Sequence, residues 1–164
     1  MTLFRAVVIS AAFLCSLVAG FLFAFASVVM PGLRTLDDAA FIRAFQVIDR
    51  VIQDNQPLFV VVWVGSLLAV VAAGGLGLWT QSGAERVLVV AAGLVYVFGV
   101  QLPTVAINIP LNNELKKVTP GTMTESTRKS AREDFEARWN RWNVFRALWA
   151  SLVSLLLIVL LLRI

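Results

Sequence analysis

The sequence has no histidine and only one cysteine among its 164 residues. Histidine is the commonest protein ligand for zinc, copper, haem and non-haem iron, so its absence argues against a first-row transition-metal enzyme. A single cysteine excludes an internal disulfide framework. This residue, Cys15, lies inside an apolar stretch, where we expect it to be a small core side chain. We therefore predict no metal site and no cofactor.

Charged residues are also scarce, and long stretches of the chain contain none. They make up 15% of the sequence and hydrophobic residues 59%, whereas soluble domains contain about 25% and roughly 45–50%. Three charge-free stretches cover residues 6–33, 55–84 and 87–113, and a shorter one covers residues 147–162. Each of the first three can hold the ~20 apolar residues that cross a bilayer. The composition therefore predicts an integral membrane protein.

We predict an all-α membrane four-helix bundle that forms one domain over residues 1–164. Its expected spans are about 6–30, 57–79, 87–107 and 143–162. The first span could instead be a signal peptide, because Ala24-Phe25-Ala26 fits a small-x-small cleavage site. Its apolar part is longer than the roughly 7–15 residues of such a peptide, so we interpret it as a span.

Two long connections join these spans. Residues 36–54 are predicted to form an amphipathic helix at the membrane interface, between spans one and two. Its apolar side chains recur at helical spacing, and they are Phe41, Ala44, Phe45, Ile48 and Ile52. Residues 108–120 are rich in asparagine and proline and are predicted to be irregular. One extended fourth helix should follow, from about Ser126 to Leu162.

Small residues recur every four positions in the first two spans. Stripes of this kind let membrane helices approach each other closely. Span one carries Ala12, Ser16, Gly20 and Ala24, and span two carries Gly65, Ala69, Ala73 and Gly77. We predict that these two stripes face each other.

Lysine and arginine are distributed unequally between the two sides of the predicted bundle. The long connections carry eleven, whereas the opposite side carries Arg5, Arg86 and Arg163. The positive-inside rule then places the long connections in the cytoplasm, with the bundle in the plasma (inner) membrane. The net charge of +4 is interleaved with acids, which gives no support to nucleic-acid binding. The expected partner is the lipid bilayer, and an apolar small-molecule ligand and a homo-oligomer stay open.

Polar side chains inside or beside the spans mark the candidate site, because each is costly in hydrocarbon unless a partner satisfies it. Gln101, Thr104 and Asn108 lie at i, i+3 and i+7 on one face of span three. Asn112 follows at the membrane edge, beside the charged connection.

Span four carries a second polar stripe. It consists of Trp139, Trp142, Asn143 and Arg146, at i, i+3, i+4 and i+7. It enters the membrane on the same side as the asparagines of span three, so we predict that the two stripes meet and line a ligand pocket. The structural alternatives are interfacial tryptophan anchors, a snorkelling arginine and asparagines that only join helices.

Four sequence elements in this order resemble the anthrone oxygenase-like family, which is also catalogued as a domain of unknown function. They are Val29-Met30-Pro31-Gly32-Leu33, Phe45-Gln46-Val47-Ile48-Asp49, Asn108-Ile109-Pro110-Leu111-Asn112 and the W-x-R-W-N-x-x-R pattern from Trp139 to Arg146. The resemblance implies a four-span membrane protein, and some members oxidise anthrones to anthraquinones without an evident metal or flavin. It also implies an asparagine where this chain has Asp49. That aspartate could supply a base or pair with Arg43 or Arg50.

The resemblance implies a cofactor-independent oxygenase of a planar aromatic or another apolar small molecule. Arg146, with Asn108 and Asn112, would hold the developing oxyanion. Asp49 is the candidate catalytic base. Substrate binding would extend to the remaining aromatic and polar candidates, namely Trp139, Trp142, Asn143, Gln46 and Thr104.

A non-catalytic membrane protein, either an accessory subunit or a small-ligand binder, is the alternative. Its polar cluster would only fasten span three to span four. A transporter is a weaker interpretation, since four spans rarely enclose a path without oligomerising and no inverted repeat is visible. A claudin-like adhesion protein is weaker still, because Gly77-Leu78-Trp79 lies at the end of a span and no cysteine pair follows it.

Overall fold

The computed structural model describes residues 2–164, and this part of the chain is helical, without a β-strand. Four of its five helices are long and apolar enough to cross a membrane, and they are α1 (Leu3–Arg34), α3 (Pro57–Thr80), α4 (Gly83–Lys117) and α5 (Glu125–Leu161). The remaining helix, α2 (Asp38–Gln53), lies between the first two spans in sequence. The predicted all-α bundle of an integral membrane protein is confirmed.

Three prolines lie inside the long helices without ending them: Pro31 in α1, and Pro103 and Pro110 in α4. Proline lacks the backbone N–H, and its ring collides with the carbonyl four residues earlier in an α-helix. Each of the three lies two residues after a five-residue π-helical segment, in which N–H groups bond five residues back. These segments are Phe25–Val29, Val97–Gln101 and Thr104–Asn108. The wider turn displaces the obstructing carbonyl, so the helix continues.

The prediction of an irregular segment over residues 108–120 is wrong for most of its length. The helix α4 continues to Lys117, and only the last three residues of that range lie outside it. Pro110 falls in the first turn after a π-helical segment, where its missing N–H removes no required α-helical bond. The composition of the segment therefore does not end the helix.

The four spans form a square in which each helix has two main neighbours. Both α1 and α4 pack against α3 and α5, so α1 and α4 stand diagonally opposite each other. The core between them contains the fully buried Val8, Cys15, Tyr96 and Leu157. Because lipid is as apolar as these side chains, close packing contacts stabilise this core more than removal from water does.

The predicted pairing of small-residue stripes is wrong for α1. Ser16, Gly20 and Ala24 are exposed, and the buried face instead carries larger side chains such as Val8, Val18 and Leu22. On α3 the stripe is partly buried, because a Cβ at Gly65 would touch Leu14 and one at Gly77 would collide with Val89. The larger contact area of its valines and leucines therefore determines which face of α1 packs against the other helices.

The helix α2 closes one end of the bundle. It begins after Asp37, whose carboxylate accepts a hydrogen bond from the Ala40 N–H at 2.9 Å and so caps the helix. Phe41 and Phe45 are buried against Phe135 and Trp139 of α5, in a cluster separate from the main core. The Phe45 and Phe135 ring centroids lie 4.6 Å apart. This aromatic cluster holds α2 across the helix ends.

Candidate functional site

A cavity of about 190 Å³ lies where α2 closes the bundle, and all five helices contribute to its wall. An engineered apolar cavity of about 150 Å³ takes up benzene, so this one has room for an aromatic ring. Its apolar lining consists of Phe21, Leu22, Phe25, Phe45, Ile48, Ile52, Phe59, Trp63, Ile109 and Trp139. The polar lining consists of Asp49, Thr104, Asn108, Asn112, Asn143 and Arg146. The structure thus brings seven of the nine predicted site residues to one cavity.

Arg146 is the most unusual group in this cavity. Its side chain is only 4% exposed. One terminal nitrogen donates to Thr104 Oγ1 at 2.9 Å and the other to Asn143 Oδ1 at 3.1 Å. The Nε–H has no partner, and no carboxylate of residues 2–164 forms an ion pair with the guanidinium. A buried charge without a counter-charge is costly, and a ligand with a negative or carbonyl oxygen would satisfy it.

The two acceptors of Arg146 are themselves held in place. Thr104 donates its hydroxyl proton to the Val100 carbonyl at 2.7 Å, which leaves a lone pair for the guanidinium. Asn143 donates through Nδ2 to the Leu22 carbonyl of α1 at 3.0 Å, which turns its Oδ1 toward Arg146. The guanidinium is therefore fixed by α4 and α5 together, and α1 fixes it indirectly.

Asp49 occupies the opposite, α2 side of the cavity and is 5% exposed. Its Oδ1 accepts a hydrogen bond from Asn112 Nδ2 at 2.7 Å, and its Oδ2 accepts one from Gln53 Nε2. It forms no ion pair with Arg43 or Arg50, so that alternative is wrong. Burial raises the pKa of this carboxyl above its ordinary value, against the opposing effects of its two hydrogen bonds and of Lys116. A carboxylate with a raised pKa is a stronger base.

Trp139 joins α4 to α5 at the floor of the cavity. Its indole Nε1–H donates to Asn112 Oδ1 at 2.8 Å, and its carbonyl accepts a bond from Asn108 Nδ2 at 3.4 Å. The ring packs against Phe25 and Phe45, with centroids 5.7 Å and 5.3 Å away. Asn108 Oδ1 is buried and has no partner. Two residues of the cavity wall therefore each have one unsatisfied buried atom, a donor on Arg146 and an acceptor on Asn108.

The structure does not bring Trp142 or Gln46 to this cavity. Trp142 points away from it and packs edge-on against Phe145, with the ring centroids 5.2 Å apart. At about 100° per residue Trp142 lies roughly 60° from Trp139, whereas Asn143 and Arg146 lie within about 40°. The prediction that Trp142 binds the substrate together with Trp139 is therefore not supported by this geometry.

Gln46 acts on the backbone instead. Its Nε2 donates to the carbonyls of Leu115 and Val118, both at 2.8 Å, and so binds α2 to the end of α4. Leu115 lies in the last turn of α4, where its carbonyl also accepts a hydrogen bond from the Val118 N–H at 3.1 Å, and Val118 lies just beyond the end of the helix. The side chain thus has a structural role that its sequence pattern did not indicate.

We expect Gln46→Ala to lower the free energy of unfolding by about 1–3 kcal/mol, since it removes two hydrogen bonds between elements. Unfolding in a detergent titration measures this loss. Arg43→Ala, on the exposed side of the same helix, is the matched control and should change little. Equal stability of both variants would show that Gln46 does not hold the end of α4.

Sequence reasoning missed the aromatic wall on the α1 and α3 side. Phe21 and Phe25 lie at i, i+4 on α1, and Phe59 and Trp63 lie at i, i+4 on α3. Aromatic side chains also occur at the membrane-facing surfaces of helices, as interfacial anchors, so spacing alone does not single these pairs out. No group of three or more cysteine, aspartate or glutamate side chains in residues 2–164 converges to suit a metal ion.

A family model described as anthrone oxygenase matches residues 45–156 of the chain. This range includes three of the four elements on which the resemblance was based, and every polar residue that lines the cavity. The predicted resemblance is confirmed. No curated protein and no solved structure matches the chain significantly.

Proposed function

The chain belongs to the anthrone oxygenase family, and on that premise we propose that it binds a planar aromatic ketone in this cavity and oxidises it with molecular oxygen. One observation carries the proposal: Arg146 is buried without a carboxylate partner and with an unsatisfied Nε–H, and its side chain is part of the wall of a largely apolar cavity. An enolate oxygen formed there would gain a charge-assisted hydrogen bond. Such stabilisation in a site that excludes water is usually the largest single contribution to catalysis.

The unsatisfied polar atoms of the cavity-lining residues also favour a particular ligand. The Nε–H of Arg146 requires an acceptor, and Asn108 Oδ1 requires a donor. A ketone with a hydroxyl on the neighbouring ring position offers both. The apolar remainder of the ring system would lie against Trp139, Phe25 and Phe45.

The proposed reaction starts with Asp49 as the base. Its carboxylate removes a proton from the ring CH₂ of an anthrone, and the electron pair moves onto the ketone oxygen to give an enolate held by Arg146. The enolate carbon reduces O₂ and bonds to it, which gives a hydroperoxide after proton uptake. Loss of water then leaves a second ketone, so one anthrone and one O₂ give one anthraquinone and one water.

We expect 1-hydroxyanthrone to be oxidised about tenfold more efficiently than unsubstituted anthrone, because its hydroxyl can satisfy Asn108 Oδ1 and one buried hydrogen bond contributes about 1–3 kcal/mol. Oxygen uptake and anthraquinone absorbance, measured with the protein in lipid vesicles, give both rates. Protein-free vesicles correct for spontaneous oxidation. Rates no faster than those of protein-free vesicles with either compound would contradict the proposed oxygenase activity.

A structural role of the polar cluster is the second candidate. Three hydrogen bonds of the cluster join α4 directly to α5, through Thr104 with Arg146 and through Asn108 and Asn112 with Trp139. Hydrogen bonds between membrane helices contribute about 0.6 kcal/mol each on average. In this interpretation the removal of Arg146 lowers stability, whereas an oxygenase loses turnover and keeps its stability.

A further inference from the structure

An apolar groove of about 240 Å³ lies on the outside of the bundle, between α1 and α3. Its outer part is formed by Leu17, Leu58 and Val62, with the buried Val18 beneath them, and we call it the side groove. Leu17 is 42% and Leu58 is 73% exposed. Both belong to helices that can cross a membrane. In a bilayer, the side groove would therefore face lipid chains.

The inner end of the side groove is formed by Phe21, Phe59 and Trp63, which also line the cavity. The Phe59 ring lies 5.4 Å from Phe21 and stacks on Trp63 at 5.4 Å, measured between centroids. The one polar contact of this layer is a 3.2 Å hydrogen bond from Trp63 Nε1 to Gln101 Oε1. A single layer of aromatic rings thus separates the cavity from the bilayer, and rotation of these side chains would join the two spaces.

The opposite side of the cavity is polar and narrow. A pocket of only about 60 Å³ shares Phe45, Asp49 and Asn112 with the cavity. The rest of its lining is Leu115 and four charged or amide side chains, namely Gln46, Arg50, Gln53 and Lys116. Lys116 Nζ donates to Gln53 Oε1 at 2.6 Å across it. Such a space holds about two waters, at roughly 30 Å³ each. It suits water and protons, whereas a flat apolar molecule would have to displace charged groups.

We infer that the cavity is filled from the bilayer: an apolar aromatic ligand enters through the side groove, and Phe21, Phe59 and Trp63 form the gate. The inference rests on the proposed function, since it takes the cavity as the ligand site. An apolar ring system is concentrated in the hydrocarbon and reaches the side groove without leaving it. Water and protons exchange on the other side, next to Asp49.

Val62→Phe tests this route, because Val62 lines the side groove but not the cavity. The probe is 1-hydroxyanthraquinone in lipid vesicles, and stopped-flow quenching of tryptophan emission gives its association and dissociation rates. The added ring crowds the entrance and leaves the bound state unchanged. We expect both rates to fall about tenfold, since crowding costs roughly 1–3 kcal/mol at the barrier, while Kd stays constant.

Leu17→Phe, on the other wall of the side groove, should slow both rates in the same way, so the test does not depend on one variant folding. Val61→Phe is the matched control, since Val61 is 63% exposed on α3 outside the side groove. Arg50→Phe blocks the polar pocket and should leave the rates unchanged.

Slowed entry in Arg50→Phe, with wild-type rates in the two side-groove variants, would overturn the route alone. Absence of quenching in the wild type would overturn the cavity as the ligand site and with it the proposed function.

Discussion

Replacing Arg146 with methionine is expected to reduce anthrone oxidation by about 10²–10³-fold, the loss seen when an enzyme is deprived of an oxyanion donor. The same substitution should leave the bundle at least as stable as the wild type. Methionine nearly matches the volume of the arginine stem and removes a buried charge that has no counter-charge. The lost bonds to Thr104 and Asn143 offset part of this gain.

Turnover and unfolding in detergent, measured on one preparation, separate the two candidate functions. Arg141→Met is the matched control, because Arg141 lies exposed on the same helix. A structural cluster predicts lower stability for Arg146→Met and a parallel fall in folded yield. Full turnover by a normally folded Arg146→Met protein would contradict the oxyanion role.

Replacing Asp49 with asparagine is the second large change, and turnover should fall by about 10²–10⁴-fold with the loss of a positioned base. Burial raises the pKa of Asp49, so the neutral carboxyl is favoured in the folded protein. The basic carboxylate forms only as the pH rises through this raised pKa. The turnover of the wild type should therefore rise over the same range and then level off.

The free energy of unfolding of the wild type should change with pH in the opposite direction to its turnover. Because the folded pKa is above the ordinary value of about 4, the wild type loses stability as the pH rises from that value through the raised pKa. Asp49→Asn replaces one acceptor oxygen by an amide and so loses one of the two hydrogen bonds, but it has no such pH-dependent loss. Its stability relative to the wild type should therefore rise across that pH range. Asp54→Asn, at the exposed end of α2, is the control. Undiminished turnover in Asp49→Asn would mean that the asparagine implied by the family resemblance suffices and that Asp49 is not the base.

Much of the fold could be predicted, because membrane spans depend on long apolar stretches and little else. The extended fourth helix was predicted from about Ser126 to Leu162 and runs over Glu125–Leu161, since no glycine or proline interrupts it. The end of α4 could not be predicted, because local composition does not show that π-helical turns accommodate Pro103 and Pro110. The facing sides of α1 and α3 were missed for a related reason: close packing depends on shape, which a stripe of small residues does not fix.

The part of the site that consists of polar side chains inside the membrane could be predicted, because burying such groups in hydrocarbon costs free energy. Arg146, Asn143, Thr104 and Asn108 lie on two helix faces that had to meet, because burial against each other is their least costly arrangement in a membrane. Trp142 lies on the same helix as Arg146 and Asn143. A tryptophan at the membrane edge is amphipathic, so it is stable whether it points into the bundle or toward the lipid. The aromatic wall on the α1 and α3 side could not be recognised from the spacing of its residues in the sequence. Only the packing of α2 over the bundle shows which rings surround the ligand space.

Titration of the purified protein with 1-hydroxyanthraquinone tests the central claim most directly, namely that the buried, unpaired Arg146 makes this cavity a site for an aromatic ketone. Tryptophan quenching reports occupancy, because Trp139 and Trp63 line the cavity. The wild type and Arg141→Met should show saturable quenching with one ligand per chain, and Arg146→Met should bind at least about tenfold more weakly, since a hydrogen bond to a charged group contributes about 1.5–3 kcal/mol. Equal, saturable binding by Arg146→Met and the wild type would contradict the claim.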